Sequence, residues 1–490
     1  MTMSKILAFD FGASSGRAMI AQYAGGKITM EELHRFTNDP VSINGTLYWD
    51  ALRLFYNIKQ GITKAVNAGG FDMIGIDTWG VDFGLIGEDG QLVQNPVHYR
   101  DERSEKPFEE FMKRIDPDEL YQTVGLQHLA INTLYQLLYL KEQKPELLAA
   151  TKKVLFTPDL YNYFLTGEMR TEYTIASTSE MLDAKKRDWS GEVLELAGIP
   201  REKLCDITPP GSECGLLRDD ICEELGAPKA KVMCTASHDT AAAVAATPTQ
   251  ENDFIFISCG TWSLLGTELH EPCINEKGAE YNFANEGGVE GTYRFLKNIM
   301  GTWPIQESRR QWIREGKEYG FGELEQMAKE CTPFRSLIDV DSPEFGKPGN
   351  LPRRIRAYCE KTGQPVPQTE GEIIRCIDES LAMKFRYSIE RLAECTGKEY
   401  NTVHILGGGT KSALLCQMTA DATGMNVIAG PDEATVLGNI VVQLIAAGEI
   451  KDIKEARRVV AASCEPKTYT PQNTAEWDKQ YAPFVKIIEG

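Results

Sequence analysis

One arrangement occurs twice in this chain and limits its fold more than any other feature. A short apolar strand runs directly into a loop of small and polar residues, and the loop runs into a second strand. Near the start, Ile6-Leu7-Ala8-Phe9 leads into Asp10-Phe11-Gly12-Ala13-Ser14-Ser15-Gly16, and residues 17–23 and 27–36 then flank Gly25-Gly26, a hairpin signal. At mid-chain, residues 254–257 lead into Ser258-Cys259-Gly260-Thr261-Trp262-Ser263 and on to Leu264-Leu265. A pattern repeated at that distance implies two related α/β halves, which favours a bilobal enzyme with its site in a cleft.

The intervening elements fit that plan. Asp50 is placed to cap a helix whose apolar positions, Leu54, Phe55, Ile58, Ile62 and Val66, have helical spacing. Ile74-Gly75-Ile76 enters a strand that stops at Asp77-Thr78-Trp79-Gly80, and residues 81–86 with the turn Glu88-Asp89-Gly90 read as a second hairpin. In the other half come a long amphipathic helix over about residues 370–395, a strand at 403–406, the loop Gly407-Gly408-Gly409, a helix from Lys411, a strand at 425–429 and a helix from Glu433. A small-residue helix starting at Asp239 ends at Thr247-Pro248-Thr249-Gln250, which puts the boundary between residues 1–245 and 246–490.

Charge and composition exclude several function classes. The 490 residues carry a net charge of −19 and no basic block, so nothing attracts the chain generally to nucleic acid or anionic lipid. The apolar run at residues 6–9 is too short for a secretory signal, and residues 440–447 fall far below the roughly 20 residues of a membrane span. A cytoplasmic protein with no nucleic-acid or membrane partner is expected. The twelve cysteines form no Cys-x-x-Cys pair, so neither a zinc site nor a dithiol redox motif is legible and reduced thiols are the default. Monomer and homodimer both stay open.

Three loops have chemistry in common: residues 10–17, 258–263 and 407–410. Each brings small residues and backbone N–H groups to the end of a strand, where phosphate oxygens can approach closely. Asp10 closes a buried strand, where an ionised carboxylate needs a cation or several donors; it either holds Mg²⁺ or caps the turn. Ser14, Ser15 and Arg17 supply hydroxyls and a fixed positive charge suited to a phosphate. Asp239 follows the strand at 232–235 and opens a helix, so it is either a general base, kept ionised by the helix N-terminus, or that helix's N-cap. His238 reads as packed or hydrogen-bonded rather than as a nucleophile or metal ligand, since no Ser-x-Gly elbow or second spaced His accompanies it. Trp79 and Asp82 suit a polyhydroxylated ligand; a Trp is more often core than sugar platform, although Asp82 beside it would be an awkward core residue.

Taken together, these motifs resemble the FGGY carbohydrate kinases over essentially the whole chain. Residues 10–17 resemble the family's first phosphate motif, Ser258-Cys259-Gly260-Thr261 the second, and Gly407-Gly408-Gly409-Thr410-Lys411-Ser412 the adenosine motif. Four stretches resemble in particular the subgroup that phosphorylates L-rhamnulose: residues 77–83, residues 236–241, Asn285-Glu286-Gly287-Gly288 and residues 295–301. The resemblance implies an α/β fold of two ribonuclease H-like, actin-like ATPase lobes around a central cleft, and ATP-dependent phosphorylation of the 1-hydroxyl of L-rhamnulose. Asp239 would be the base. Gly80, His238, Asp239 and Thr240 would contact the ketose, while Ala13, Ser14, Ser15, Gly16, Arg17, Thr261, Asn298, Gln306 and Gly408 would contact ATP and Asp10 would hold Mg²⁺. Tyr99 and Thr302 depart from the family pattern, standing where Trp and Leu are usual. Another ketose, such as L-fuculose or D-xylulose, and a sugar-sensing actin-fold protein without phosphoryl transfer are the alternatives. The second would usually carry an added DNA-binding segment, for which the early Asp10 leaves no room.

Overall fold

A computed structural model of the chain describes residues 4–490. They form two compact units, neither of them a continuous stretch. The first gathers residues up to 250, 268–295 and 434–463, and the second gathers 251–267, 296–433 and 464–490.

In the first unit, β1 (Lys5–Phe11), β2 (Ser15–Ala24) and β3 (Lys27–Thr37) form an antiparallel meander. Gly25 and Gly26 supply the two positive φ values, 59° and 77°, that its tight turn needs. α1 (Ala51–Asn67) follows, with the Asp50 side chain accepting from Arg53 N. β4 (Met73–Thr78) then pairs parallel to β1, and β5 (Ser212–Leu216) and β6 (Lys231–Cys234) complete a sheet of order β5-β6-β4-β1-β2-β3. Leu54, Ile58 and Ile62 of α1 pack with Leu7, Phe9, Ile74 and Ile76 of the sheet in one buried core. Burial of each such side chain contributes about 1.5–3 kcal/mol. Phe55 and Val66, on the same sequence stripe, are half-buried at its margin. α2 (Asp239–Ala245) follows β6.

The second unit repeats the plan. β7 (Ile255–Cys259) and β8 (Trp262–Leu269) are antiparallel, β9 (Tyr293–Met300) lies beyond β8, and β10 (Thr402–Leu406) and β11 (Asn426–Ala429) continue parallel from β7. With β12 (Lys467–Tyr469) and the short strand Ala284–Gly287 beyond β9, the sheet has seven strands, six of them in the order β9-β8-β7-β10-β11-β12. An antiparallel neighbour on one side of the first strand, two parallel strands and then an antiparallel edge strand on the other, and a helix before the fourth strand match in the two units; here that helix is α3 (Glu370–Thr396), whose cap Thr369 and Glu372 form a capping box. α4 (Ala413–Thr423) joins β10 to β11, capped by Ser412 rather than starting at Lys411.

Two features depart from the sequence reading. The turn after Ile86 forms, with Gly87 N donating to Gln91 O, but the main partner of the strand Phe83–Gly87 is the distant strand Thr151–Phe156 rather than the next segment. A hairpin signal reports a local turn; the identity of a strand's neighbour depends on contacts the window does not contain. The second is α5 (Ala434–Ala446), which lies late in the chain yet belongs to the first unit, against β1, β4 and α2. Gly438 makes this packing possible, because a Cβ there would sit 1.7 Å from the carbonyl oxygen of Ala242.

Candidate active site

The parallel register of β1 and β4 sets Asp10 directly beside Asp77, and the β1–β2 hairpin sets it opposite Arg17. Arg17 donates to Asp10 Oδ2 through Nε at 3.0 Å and Nη2 at 2.7 Å. Asp77 is fully buried; its Oδ2 accepts from Asn439 of α5 at 2.7 Å, while its Oδ1 has no hydrogen-bond partner. Burial, then the neighbouring Asp10, pushes the Asp77 carboxyl well above the usual carboxylate range. The loop between β1 and β2 exposes Ala13 and Ser14, half-exposes Gly12, Ser15 and Arg17, and buries Gly16, where a Cβ would strike the ring of Phe36.

At the end of β4 the chain turns sharply through Trp79-Gly80-Val81-Asp82. Val81 takes a φ of 66°, unusual for a β-branched residue, and is held there from three sides. Its N–H donates to Thr178 Oγ1, its carbonyl accepts from Thr133 Oγ1, and Asp82 N donates to Gly80 O. Gly80 is required by its neighbours, since an added Cβ would lie 3.1 Å from Thr178 and 3.3 Å from His238 Nε2. Asp82, read from sequence as a ligand for hydroxyls, instead organises an aromatic wall. Its carboxylate accepts from the indoles of Trp49 (2.6 Å) and Trp79 (2.9 Å), from Tyr99 N (3.2 Å) and from Gln136 Nε2 (3.1 Å). Trp49 stacks on His98 at 4.0 Å between centroids and lies 4.2 Å from Trp79, and Tyr99 continues the row beside His98. Burial, then Arg100, lowers His98 to about 3, so the ring in this stack is neutral.

Burial pushes Asp82 up to about 6, against the four donors that pull it down. Between its unfolded value and about 6 the folded chain therefore holds a proton that the unfolded chain releases. That contribution to stability is present at low pH and is lost as the pH rises through about 6. Urea unfolding between pH 4.5 and 7.5 should show the stability of wild type relative to Asp82→Asn falling over this window. A difference independent of pH would contradict it.

Across the sheet, residues 235–238 are pinned to the end of β4: Thr78 N donates to Ser237 O, and Glu172 receives Ser237 N, Thr174 N, Thr174 Oγ1 and Ile175 N. His238 N donates in turn to Thr174 Oγ1. Asp239 is the first residue of α2; the cap is His238, which makes no side-chain capping bond. The Asp239 Oδ1 accepts from Thr240 N at 2.6 Å and Thr240 Oγ1 at 3.1 Å and lies 3.4 Å from His238 Nε2. A third of its side chain is open to solvent. Protein on its other sides raises the carboxyl by desolvation, opposed by His238 and reinforced by Asp10. A partly open carboxylate with a raised proton affinity is equipped to accept a proton from a hydroxyl group.

In the second unit, the ends of β7 and β10 are paired at Ser258 and Leu406, which sets the loops 259–261 and 407–410 side by side. Gly409 is packed against Cys259, where a Cβ would approach its sulfur to 2.5 Å, and Gly408 is exposed. Thr261 Oγ1 donates to Gln306 Oε1 (3.3 Å), Gln306 Nε2 donates to Thr302 Oγ1 (2.9 Å), and Thr302 Oγ1 donates to Gly260 O (2.8 Å). Thr302 thus ties Gln306 to the loop, a link that the Leu usual at this position could not make. Asn298 is half-buried on β9. The residues expected from the sequence therefore fall into two groups: Asp10, Ala13 to Arg17, Gly80 and His238 to Thr240 in the first unit, and Thr261, Asn298, Gln306 and Gly408 in the second. Sequence reasoning missed Trp49, Gln136, Glu172, Arg294 and Asn439, isolated polar or aromatic residues that each have a partner far away in the chain: Asp82 for Trp49 and Gln136, Ser237 for Glu172, His238 for Arg294 and Asp77 for Asn439.

Models of the two domains of the FGGY family of carbohydrate kinases match residues 5–246 and 255–447. The chain belongs to the FGGY carbohydrate kinase family, and it is an enzyme of that class. It is 41% identical over 482 residues to a rhamnulokinase of Bacteroides thetaiotaomicron, covering 98% of this chain and 99% of that protein. It is 40% identical over 468 residues to a rhamnulokinase of Bacillus subtilis, covering 95% of each. Among solved structures, a ligand-bound xylulose kinase from Lactobacillus acidophilus matches with a TM-score of 0.83 at 17% identity, covering 99% of this chain and 98% of that one. A gluconate kinase from the same organism matches with a TM-score of 0.84 at 17% identity, covering 100% and 98%. These likenesses show the two-domain actin-like, ribonuclease H-like fold expected from the sequence.

Proposed function

We propose that this kinase transfers the γ-phosphoryl group of ATP to the 1-hydroxyl of L-rhamnulose, as a step of L-rhamnose catabolism in the cytoplasm. The observation that carries the chemistry is the convergence of Gly80, His238, Asp239 and Thr240 at one open corner of the first unit, with the Asp239 Oδ2 left without a protein hydrogen bond among the described residues. The choice of ketose is supported by the near-full-length relatives named rhamnulokinase. No described helix is long and apolar enough to cross a membrane.

In this reading Asp239 takes the proton of the 1-hydroxyl as its oxygen bonds to the γ-phosphorus and the bond to the β-phosphate oxygen breaks, releasing ADP. His238 and Thr240 orient the ketose, and Gly80 leaves room for it. Ala13, Ser14, Ser15, Gly16, Arg17, Thr261, Asn298, Gln306 and Gly408 bind ATP, their backbone N–H groups and the Arg17 guanidinium carrying the phosphate charge. Asp10 would hold Mg²⁺. A single buried carboxylate at a strand end fits this ion, which commonly uses one or two carboxylates with waters and substrate phosphates. When bound, the ion neutralises phosphate charge.

Steady-state release of ADP with MgATP and a panel of sugars tests the substrate. The kcat/KM for L-rhamnulose should exceed that for L-fuculose, D-xylulose and glycerol. A methyl group in an apolar pocket contributes only about 1–3 kcal/mol of discrimination, whereas a misplaced hydroxyl that strands a buried partner costs more. Epimers should therefore be rejected more strongly than ketoses that merely lack the methyl. Preference for D-xylulose or glycerol would overturn the choice of ketose, and absence of ADP release with every sugar would favour a non-catalytic sensor.

A further inference from the structure

The stretch Asn285-Glu286-Gly287-Gly288 has no part in the chemistry above, yet it brings a second buried charge pair to the back of His238. Arg294 is fully buried. Its Nε donates to Gly287 O at 2.8 Å, its Nη1 lies 2.9 Å from Glu286 Oε2, and its Nη2 lies 3.1 Å from His238 Nδ1. Glu286 Oε2 is 3.3 Å from the same ring nitrogen.

Of the two groups at Nδ1, Arg294 Nη2 at 3.1 Å is closer than Glu286 Oε2 at 3.3 Å, and this favours one protonation pattern for the ring. A guanidinium has donors only and stays charged, so the nitrogen that faces Nη2 at 3.1 Å must accept. A proton on Nδ1, whether in the other tautomer or in the imidazolium, would be driven against an Arg294 N–H. The Glu286 carboxylate is already committed to Arg294, 2.9 Å away: burial alone would raise it, but the guanidinium holds it below the usual range, so it neutralises the guanidinium. With Nδ1 accepting, the ring proton sits on Nε2, the nitrogen that lies 3.4 Å from Asp239 Oδ1 and 3.3 Å from where a Cβ on Gly80 would be.

We propose that Arg294, oriented by Glu286 and Gly287 O, is a positioning residue that fixes His238 as its neutral Nε2–H tautomer and so presents a hydrogen-bond donor to an oxygen of the ketose. The proposal rests on the reading that His238 contacts the sugar, and it deepens that reading by giving the contact a direction. The sugar oxygen met by His238 accepts, and a substrate group at that position that can only donate is rejected.

The tautomer can be observed in the ligand-free protein, independently of any activity. Two-bond ¹H–¹⁵N correlation spectra of ¹⁵N-histidine-labelled enzyme near pH 8, with His238 assigned by its loss in His238→Gln, should show a neutral ring protonated at Nε2. A ring protonated at Nδ1, or an imidazolium, overturns the proposal whatever the kinase does. Arg294→Met should mix the two tautomers and raise the KM for the ketose by roughly tenfold or more, with the KM for MgATP unchanged and Arg294→Lys partly restoring both signals. An unmoved ketose KM in folded Arg294→Met overturns the positioning role. Should Arg294→Met fail to fold, the ring itself provides the test. An amide nitrogen in His238→Gln replaces Nε2–H and one in His238→Asn replaces Nδ1–H, so His238→Gln must keep the higher kcat/KM and the reverse order overturns the proposal. The expected tautomer in an enzyme inactive on all ketoses would instead count against the proposed function, leaving the tautomer assignment in place.

Discussion

Asp239→Asn is expected to fold as the wild type does and to lower kcat by roughly 10²- to 10⁴-fold, with a much smaller change in sugar affinity. The amide keeps the size of the carboxylate and can still accept from Thr240 N and Thr240 Oγ1 through one oxygen, the two bonds that fix this side chain at the start of α2. It cannot take a proton from a hydroxyl. Because His238 rather than Asp239 occupies the cap position, the substitution removes no capping bond and the helix should stay intact. Stopped assays of kcat, paired with calorimetric titration of the ketose, separate the two quantities. Near-wild-type kcat would leave Asp239 as an ordinary first-turn residue.

The second large effect is expected from a backbone packing contact between α5 and α2. Gly438→Val places a branched side chain where even a Cβ would lie 1.7 Å from Ala242 O and 2.3 Å from its carbonyl carbon. Backbone atoms cannot swing aside as a flexible side chain can, so α5 and α2 must separate. Overpacking of this kind costs about 1–3 kcal/mol, occasionally more, while a helical glycine elsewhere would gain about 1 kcal/mol on replacement by a better helix former. The sign at Gly438 is therefore opposite to that of helix propensity. Separation also moves the two groups attached to these helices: Asp239 at the start of α2, and Asn439, which donates to Asp77. Urea unfolding should show a loss of about 3 kcal/mol, and the folded fraction should turn over more slowly; unchanged stability would mean that the close approach is not maintained in solution.

The elements legible in the sequence are those whose cause is local. The Gly25-Gly26 hairpin, the Asp50 cap, the amphipathic run of α1 and α3 and the small-residue loops after β1 and β7 all depend on residues within a few positions of each other. The repeated strand-loop-strand unit was enough to imply two related halves, and the strands β6-β4-β1-β2-β3 of one sheet and β11-β10-β7-β8-β9 of the other run in the same order. What stayed hidden involves partners far apart in the chain. The pairing of Phe83–Gly87 with Thr151–Phe156, the return of α5 to the first unit through Gly438 and Asn439, and the Arg294–His238 contact carry no periodic signal. Asp82 shows the same limit at one residue. Its type suggested a ligand for hydroxyls, but two indole N–H groups, one 33 positions away, claim its carboxylate.

The central claim, that this chain phosphorylates L-rhamnulose at its first carbon, is tested most directly by identifying the product. After reaction of purified enzyme with MgATP and L-rhamnulose, coupled ³¹P and ¹H nuclear magnetic resonance should show one phosphomonoester whose phosphorus couples to the protons on C1, formed in equal amount with ADP. Inorganic phosphate as the only new phosphorus species, or a phosphoester at another carbon, would contradict it.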